Sequence, residues 1–233
     1  MSFLAVRRDL KKISTSARAK SNAWFFKTGK GEYGEGDRFI GVTMPDLRVV
    51  ARRHTDLGHA DLAKLLASKI HEERMAALII LTYQYANAPK ATFDFYLTQT
   101  ARINNWDLVD GSATNIVGTY LLTHPRGILK RLVRSSSLWE RRIAIVSTLA
   151  LIRQGSLDET FDLCERLMAD RHDLMHKACG WMLRETGKKD IEALKRFLDR
   201  HASHMPRTML RYAIERLPKP EQRRYLTIPR HIL

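Results

Sequence analysis

Residues 141–149 read RRIAIVSTL, and the same alternation of small and branched apolar residues returns at a fixed distance on either side. Set beside ERMAALIIL (73–81), DLVDGSATN (107–115), HKACGWML (176–183) and LRYAIERL (210–217), it defines a register of 34 residues through positions 76, 110, 144, 178 and 212. Ala76, Asp110, Ala144, Ala178 and Tyr212 occupy that column. Two positions on stand Leu78, Ser112, Val146, Gly180 and Ile214; five on stand Leu81, Asn115, Leu149, Leu183 and Leu217. Mostly apolar columns at a fixed period are what stacked two-helix units require, because no unit can bury its own apolar face alone.

The rest of the chain agrees with that reading. HEERMAALIILTYQYA, DETFDLCERLMAD and DIEALKRFLDRHA carry apolar residues at helical spacing, while strand-like alternation bounded by hairpin turns is absent. The expected class is all-α. Breaks at NAPK, THPRG, RQGS, TGKKD and HMPR are short, which predicts roughly a dozen helices of ordinary length in neighbouring pairs. The longest irregular stretch is TGKGEYGEGDRFIG (28–41). It lacks the GxxxxGK[ST] pattern of a phosphate cradle and follows a helix, so it reads as a surface loop.

Composition limits the functions open to such a chain. Its 233 residues are 44% hydrophobic, and 40 Lys and Arg against 25 Asp and Glu leave a formal charge of +15. That excess predicts attraction to a polyanion, nucleic acid first. Cys164 and Cys179 lie in amphipathic stretches and form neither a disulfide framework nor a metal knuckle, which fits a reducing cytoplasm. The opening MSFLAVRRDLKKIS has too short an apolar run for a signal peptide, and no segment reaches the roughly 18 apolar residues of a membrane span. The expected protein is a soluble cytoplasmic monomer without a cofactor.

The segment 105–118 departs from the columns three times, with Asp110, Ser112 and Asn115. A carboxylate where register-mates carry alanine is a local inconsistency, and such inconsistencies concentrate at functional sites. Trp106 and Asp110 are i and i+4, so they project from one helical face. Asn104 or Asn105 can cap this helix, and Asp107 in the first turn favours its positive end; Asp107 is therefore read as structural. A solvated or ion-paired carboxylate remains the competing reading of Asp110, as core filling does for Trp181. In the register Trp181 shares a column with Ala113 and Ser147, small or polar residues that tilt it towards exposure. His172 and His176 have helical zinc-site spacing but no third ligand or HExxH glutamate. No GxSxG nucleophile is present, and Met168, Met175 and Met182 read as core filler.

Four stretches, WDLVD (106–110), LWERRIAI (138–145), KACGWMLRE (177–185) and WFFKTGKGEYGEGDRFIGVTMPDLR (24–48), together resemble the AlkD-type alkylpurine DNA glycosylases of the DNA alkylation repair family. The resemblance runs from about Ala17 to Leu217 and leaves a short tail, 218–233, outside it; the whole chain is expected to form one helical-repeat domain. It implies a right-handed α-solenoid of HEAT-like repeats with a concave basic groove for duplex DNA, from which cationic N3- or N7-alkylated purines are excised. By the same resemblance Asp110 is the catalytic carboxylate, Trp106 and Trp181 are groove tryptophans, Arg142 is a DNA-contacting arginine with Arg141 as its neighbour in phase, and Phe25 is the N-terminal aromatic. Arg48, Lys177, Arg184 and Arg211 are the further cations expected at phosphates.

The chemistry suits the inventory. A cationic alkylpurine leaves as a neutral base, so no general acid is required, and one carboxylate can stabilise the oxocarbenium-like sugar and orient water. Aromatic faces attract the positive charge for roughly 0.5 to 2 kcal/mol each. The family engages its lesion without drawing the base into a deep pocket, and no pocket-building loop or inserting wedge is evident in the sequence. The alternative is a catalytically silent helical-repeat scaffold that binds nucleic acid or protein.

Overall fold

The structure is a computed structural model that describes residues 2–229. Its helices are α1 (Phe3–Lys12), α2 (Ser16–Phe25), α3 (Met44–Arg52), α4 (His59–Leu66), α5 (His71–Gln84), α6 (Pro89–Thr98), α7 (Trp106–Ala113), α8 (Gly127–Leu132), α9 (Leu138–Arg153), α10 (Asp158–Leu167), α11 (Asp173–Lys189), α12 (Ile191–His201), α13 (Arg207–Ala213) and α14 (Lys219–Thr227). A π-helical turn, Thr114–Gly118, follows α7. Among the described residues there is no strand, only an isolated bridge between Arg38 and Ile70, and no helix is long and apolar enough to cross a membrane. The all-α class expected from periodicity is the class observed. The chain divides into two compact units, Met1–Ser112 and Ala113–Leu233.

In the first unit α1, α3 and α4 pack on α5. Every residue of α5 from His71 to Leu81 is buried, including the register residues Ala76, Leu78 and Leu81. Helix α3 starts where Thr43 accepts a hydrogen bond from the Asp46 amide and Pro45 fixes the first turn. The glycine-rich segment that leads to it is only partly a surface loop, because Gly34, Asp37 and Gly41 are buried. Gly41 has φ +80°, and a Cβ there would lie 2.1 Å from the Thr15 carbonyl oxygen, so glycine alone lets this segment close on the start of α2.

In the second unit the π-turn, α9, α11 and α13 pack in succession, with α8 and α10 against α9 and α12 against α11. The register residues Ala144 and Ala178, then Val146, Gly180 and Ile214, then Leu149, Leu183 and Leu217 are all buried, while Tyr212 is 36% exposed. Burial of one apolar column by the next is the stacking that the 34-residue period calls for. Two glycines set the closest approaches. A Cβ on Gly118 would lie 2.3 Å from the Ser147 carbonyl oxygen, and one on Gly180 would lie 2.5 Å from that of Met209. Ser137 caps α9 and Asp190 caps α12. Part of the C-terminal segment beyond the resemblance forms α14, which buries Tyr225 completely; Arg230 to Leu233 lie outside the described residues.

Candidate active site

Helix α7 begins where the sequence suggests. The buried Asn105 accepts a hydrogen bond from the Trp106 amide on Oδ1 (2.8 Å), and its carbonyl accepts from Val109 N (3.2 Å). Trp106 and Asp110 are both half-buried, one turn apart. The Trp106 ring stacks on Phe26 at 5.3 Å and 18°, and Phe26 stacks in turn on Phe39 at 5.0 Å and 17°. Phe25 meets Trp106 edge-on at 6.0 Å and is 55% exposed; Trp24 beside it is 76% exposed. Asp110 thus follows by one turn a tryptophan that belongs to an aromatic wall whose outer members face solvent. The structure brings Phe25 against Trp106, one turn from Asp110, and adds Phe26 and Phe39 to the cluster.

Beneath that wall lies a polar network that sequence reasoning missed. His71, at the start of α5 and 2% exposed, hydrogen-bonds through Nε2 to Asp107 Oδ2 (2.8 Å) and through Nδ1 to Asp37 Oδ2 (3.0 Å). Arg74 Nη2 reaches the same Asp37 oxygen at 2.7 Å, and Asn105 Nδ2 donates to it at 3.3 Å. With carboxylates at both ring nitrogens, both nitrogens donate and the ring is an imidazolium. Burial favours its neutral form, but the bonds to Asp107 and Asp37 outweigh burial and hold the His71 pKa above its ordinary value. Burial likewise pushes the Asp37 carboxyl up, and the His71 bond and the Arg74 charge more than reverse that, leaving it below the usual carboxylate range. Two cations and two anions make a neutral quartet, which is how buried charges are tolerated. One signal could have found it: Asp37 and His71 are 34 residues apart and Asp37 and Asn105 are 68 apart, so all three share one column of the repeat.

The other polar exceptions of α7 resolve differently. Ser112 is fully buried, donates to the Leu108 carbonyl (2.6 Å) and so accepts from the Tyr96 hydroxyl (3.0 Å). Burial, with the Asp110 charge adding to it, keeps Tyr96 protonated far above its usual range. Asn115 is exposed. Asp107 exceeds the first-turn role expected of it, since its side chain, 15% exposed, carries the outer end of the His71 bridge. A cavity of about 230 Å³ opens beside this turn, lined by Phe26, Phe39, Met44, Met75, His71 and Asp107 among others.

The second unit holds the remaining expected residues apart from Arg48. Trp181 is half-buried on α11. Its column-mates do not share that exposure: Ala113 and Ser147 are 0% and 1% exposed, and they are small because helices approach closely there, as Gly180 is. Arg142 also corrects its expectation as a displayed cation: it is 5% exposed and donates to the Leu174 carbonyl at 2.6 Å. Arg141 is held by Asp170 (2.6 Å) and by the Ser135 and Ser136 carbonyls. Lys177 pairs with Asp173 at 2.8 Å, and Arg184 pairs with Glu215. Arg211 in this unit and Arg48 on α3 are exposed. His172 caps α11 by accepting from Leu174 N, and His176 Nε2 lies 2.6 Å from the Asp170 carbonyl oxygen, so both serve the local backbone.

An all-helical repeat protein with a strong positive charge and a carboxylate one turn from a stacked tryptophan is the class that fold and site define. Within that class, the chain belongs to the DNA alkylation repair enzyme family, which matches residues 6–217. Its role therefore lies in the repair of alkylated DNA. The structure is similar to that of a predicted DNA alkylation repair enzyme from Enterococcus faecalis, with a TM-score of 0.74 over 88% of this chain and 97% of that one. Their sequences are 15% identical, so that likeness speaks for the fold. No curated protein matches the chain.

Proposed function

We propose that the protein is a DNA glycosylase that hydrolyses the N-glycosidic bond of cationic N3- or N7-alkylated purines in duplex DNA. The observation that carries the reading is Asp110: a half-exposed carboxylate, on the face of α7 that also presents Trp106, in a column otherwise occupied by alanine or tyrosine. An anion in a surface meant only for phosphates lowers affinity, whereas beside a breaking glycosidic bond it stabilises the sugar's positive charge. The base departs as a neutral purine, water adds at C1′, and the water's proton is released as the new hydroxyl forms. Trp106 and Phe25 offer faces and edges to the cationic nucleotide, and Trp181 is assigned the same task on its own unit. Arg48 and Arg211 are assigned to phosphates, with Lys177 and Arg184 after release from their acidic partners; Arg142 serves at most from within. The protein works as a monomer on DNA in the cytoplasm, with no cofactor and no membrane contact.

Release of free base from methylated duplex DNA tests this reading. Wild-type protein is expected to liberate 3-methyladenine or 7-methylguanine and to leave uracil in place, because uracil departs as an anion that a lone carboxylate does not assist. Uracil release at an equal rate would overturn the charge-based mechanism, and release of no base at all would favour the scaffold.

A further inference from the structure

The quartet around His71 is more than a way of burying charges, because each of its ends reaches an element that bears on the site. One end is Asp107, the residue after Trp106 and one turn before Asp110. The other is Asp37, which also receives Asn105 Nδ2, while Asn105 Oδ1 receives the Trp106 amide. Two aromatic rings lie against the imidazole. Phe39 stacks on it at 4.6 Å and 24°, and Phe26 lies at 5.1 Å. Phe26 is the ring on which Trp106 stacks. His71 therefore holds the first turn of α7 through a hydrogen bond, an amide relay and an aromatic stack. None of these contacts is needed to form a helix; a capping asparagine alone would do that.

We propose that His71 is a positioning residue, whose bridge to Asp107 and Asp37 fixes the orientation of Trp106 and Asp110 without itself reaching DNA. At 2% exposure the ring is buried among its partners, although it forms part of the lining of the cavity beside α7. The groups that face it are Asp107 from α7, Asp37 from the glycine-rich segment and Arg74 from its own helix. The neighbouring Glu72 is turned away to accept from the amides of Ile40, Gly41 and Val42. Sites held rigidly by buried partners lose rate when those partners go, since a misplacement of about 1 Å can cost on the order of 10²-fold. The catalytic consequence rests on the glycosylase reading above; the orientation of Trp106 does not.

The test uses the full chain as wild type, His71→Gln, Asp107→Asn and the double variant, each labelled with 5-fluorotryptophan, with Trp106→Phe to identify the resonance of Trp106. Three quantities are read: single-turnover base release from methylated duplex, affinity for undamaged duplex, and the ¹⁹F shift of Trp106. Each single variant is expected to lower release by about tenfold or more, to leave affinity within about twofold, and to move the Trp106 resonance; the double variant is expected to be no slower than the slower single. Unchanged release and an unmoved resonance in a protein that merely melts earlier would overturn the proposal, as would multiplicative losses in the double variant. Should His71→Gln fail to fold, Asp107→Asn, at the more accessible end of the bridge, decides by the same readouts. If the wild type releases no base, the glycosylase reading fails by itself, and the resonance alone decides whether His71 positions Trp106.

Discussion

Helices α7 and α9 hold the same place in the 34-residue register, and they use it in opposite ways. In α9 every residue from Arg142 to Ile152 is buried, the arginine included. In α7, Leu108, Val109, Ser112 and Ala113 are buried, whereas Trp106, Asp107 and Asp110 are half-buried and Gly111 is exposed. The apolar column is thus a rule for stacking, and α7 suspends it on one face only. Its inward polar group, Ser112, is satisfied by Tyr96 and Leu108, as burial demands. Its outward one, Asp110, is half-buried and keeps access to solvent. Polarity in a repeat column therefore has two meanings, and burial separates them.

The largest effect is expected on the side of α9. Gly118→Val would drive a side chain into the Ser147 carbonyl, where a Cβ alone would sit 2.3 Å away, and is expected to cost about 3 kcal/mol in denaturant unfolding. A loss below about 1 kcal/mol would mean that the π-turn and α9 are free to separate. Next, Arg142→Ala is expected to cost roughly 1–3 kcal/mol through the lost packing of a buried side chain and its hydrogen bond to the Leu174 carbonyl, with little change in the salt dependence of DNA binding. Arg211→Ala should do the reverse: stability holds, and the slope of log K against log salt falls by about one unit. If Arg142→Ala flattens that slope as Arg211→Ala does, the buried arginine reaches phosphates after all. The smallest effect is on α7 itself. Ser112→Ala strands the Tyr96 hydroxyl and is expected to cost about 1 kcal/mol in melting experiments while base release, measured well below the melting temperature, is unchanged; a fall in release would place Ser112 in the site.

Periodicity was enough to read the class of the fold, the register and the exceptional status of α7, because a repeat advertises its buried columns and any residue that violates them. It was not enough to say what small residues mean. Ala113 and Ser147 sit at close helix contacts, and the same smallness suggested exposure for Trp181. Helical phase also failed for Arg142, since a long side chain can lie along an apolar face and end on a carbonyl. Asp37, His71 and Asp107 carried no local motif, and their partnership spans 34 and 36 residues. Only the repeat column linking Asp37, His71 and Asn105 hinted at it. The cavity beside α7 was hidden for the same reason: its lining comes from α2, α3, α5, α7 and the glycine-rich segment, which no single stretch of sequence reveals.

The carboxylate displayed by α7 is assigned above to the breaking glycosidic bond. Asp110→Asn preserves size and hydrogen bonding and removes the charge, so it isolates that role. Single-turnover release of methylated purines by this variant is expected to fall by about 10²-fold or more, about 2.7 kcal/mol of transition-state stabilisation, while affinity for undamaged duplex holds or tightens as an anion facing phosphates is lost. Equal rates of release by Asp110→Asn and wild type would contradict the account and leave α7 with a carboxylate that serves the surface alone.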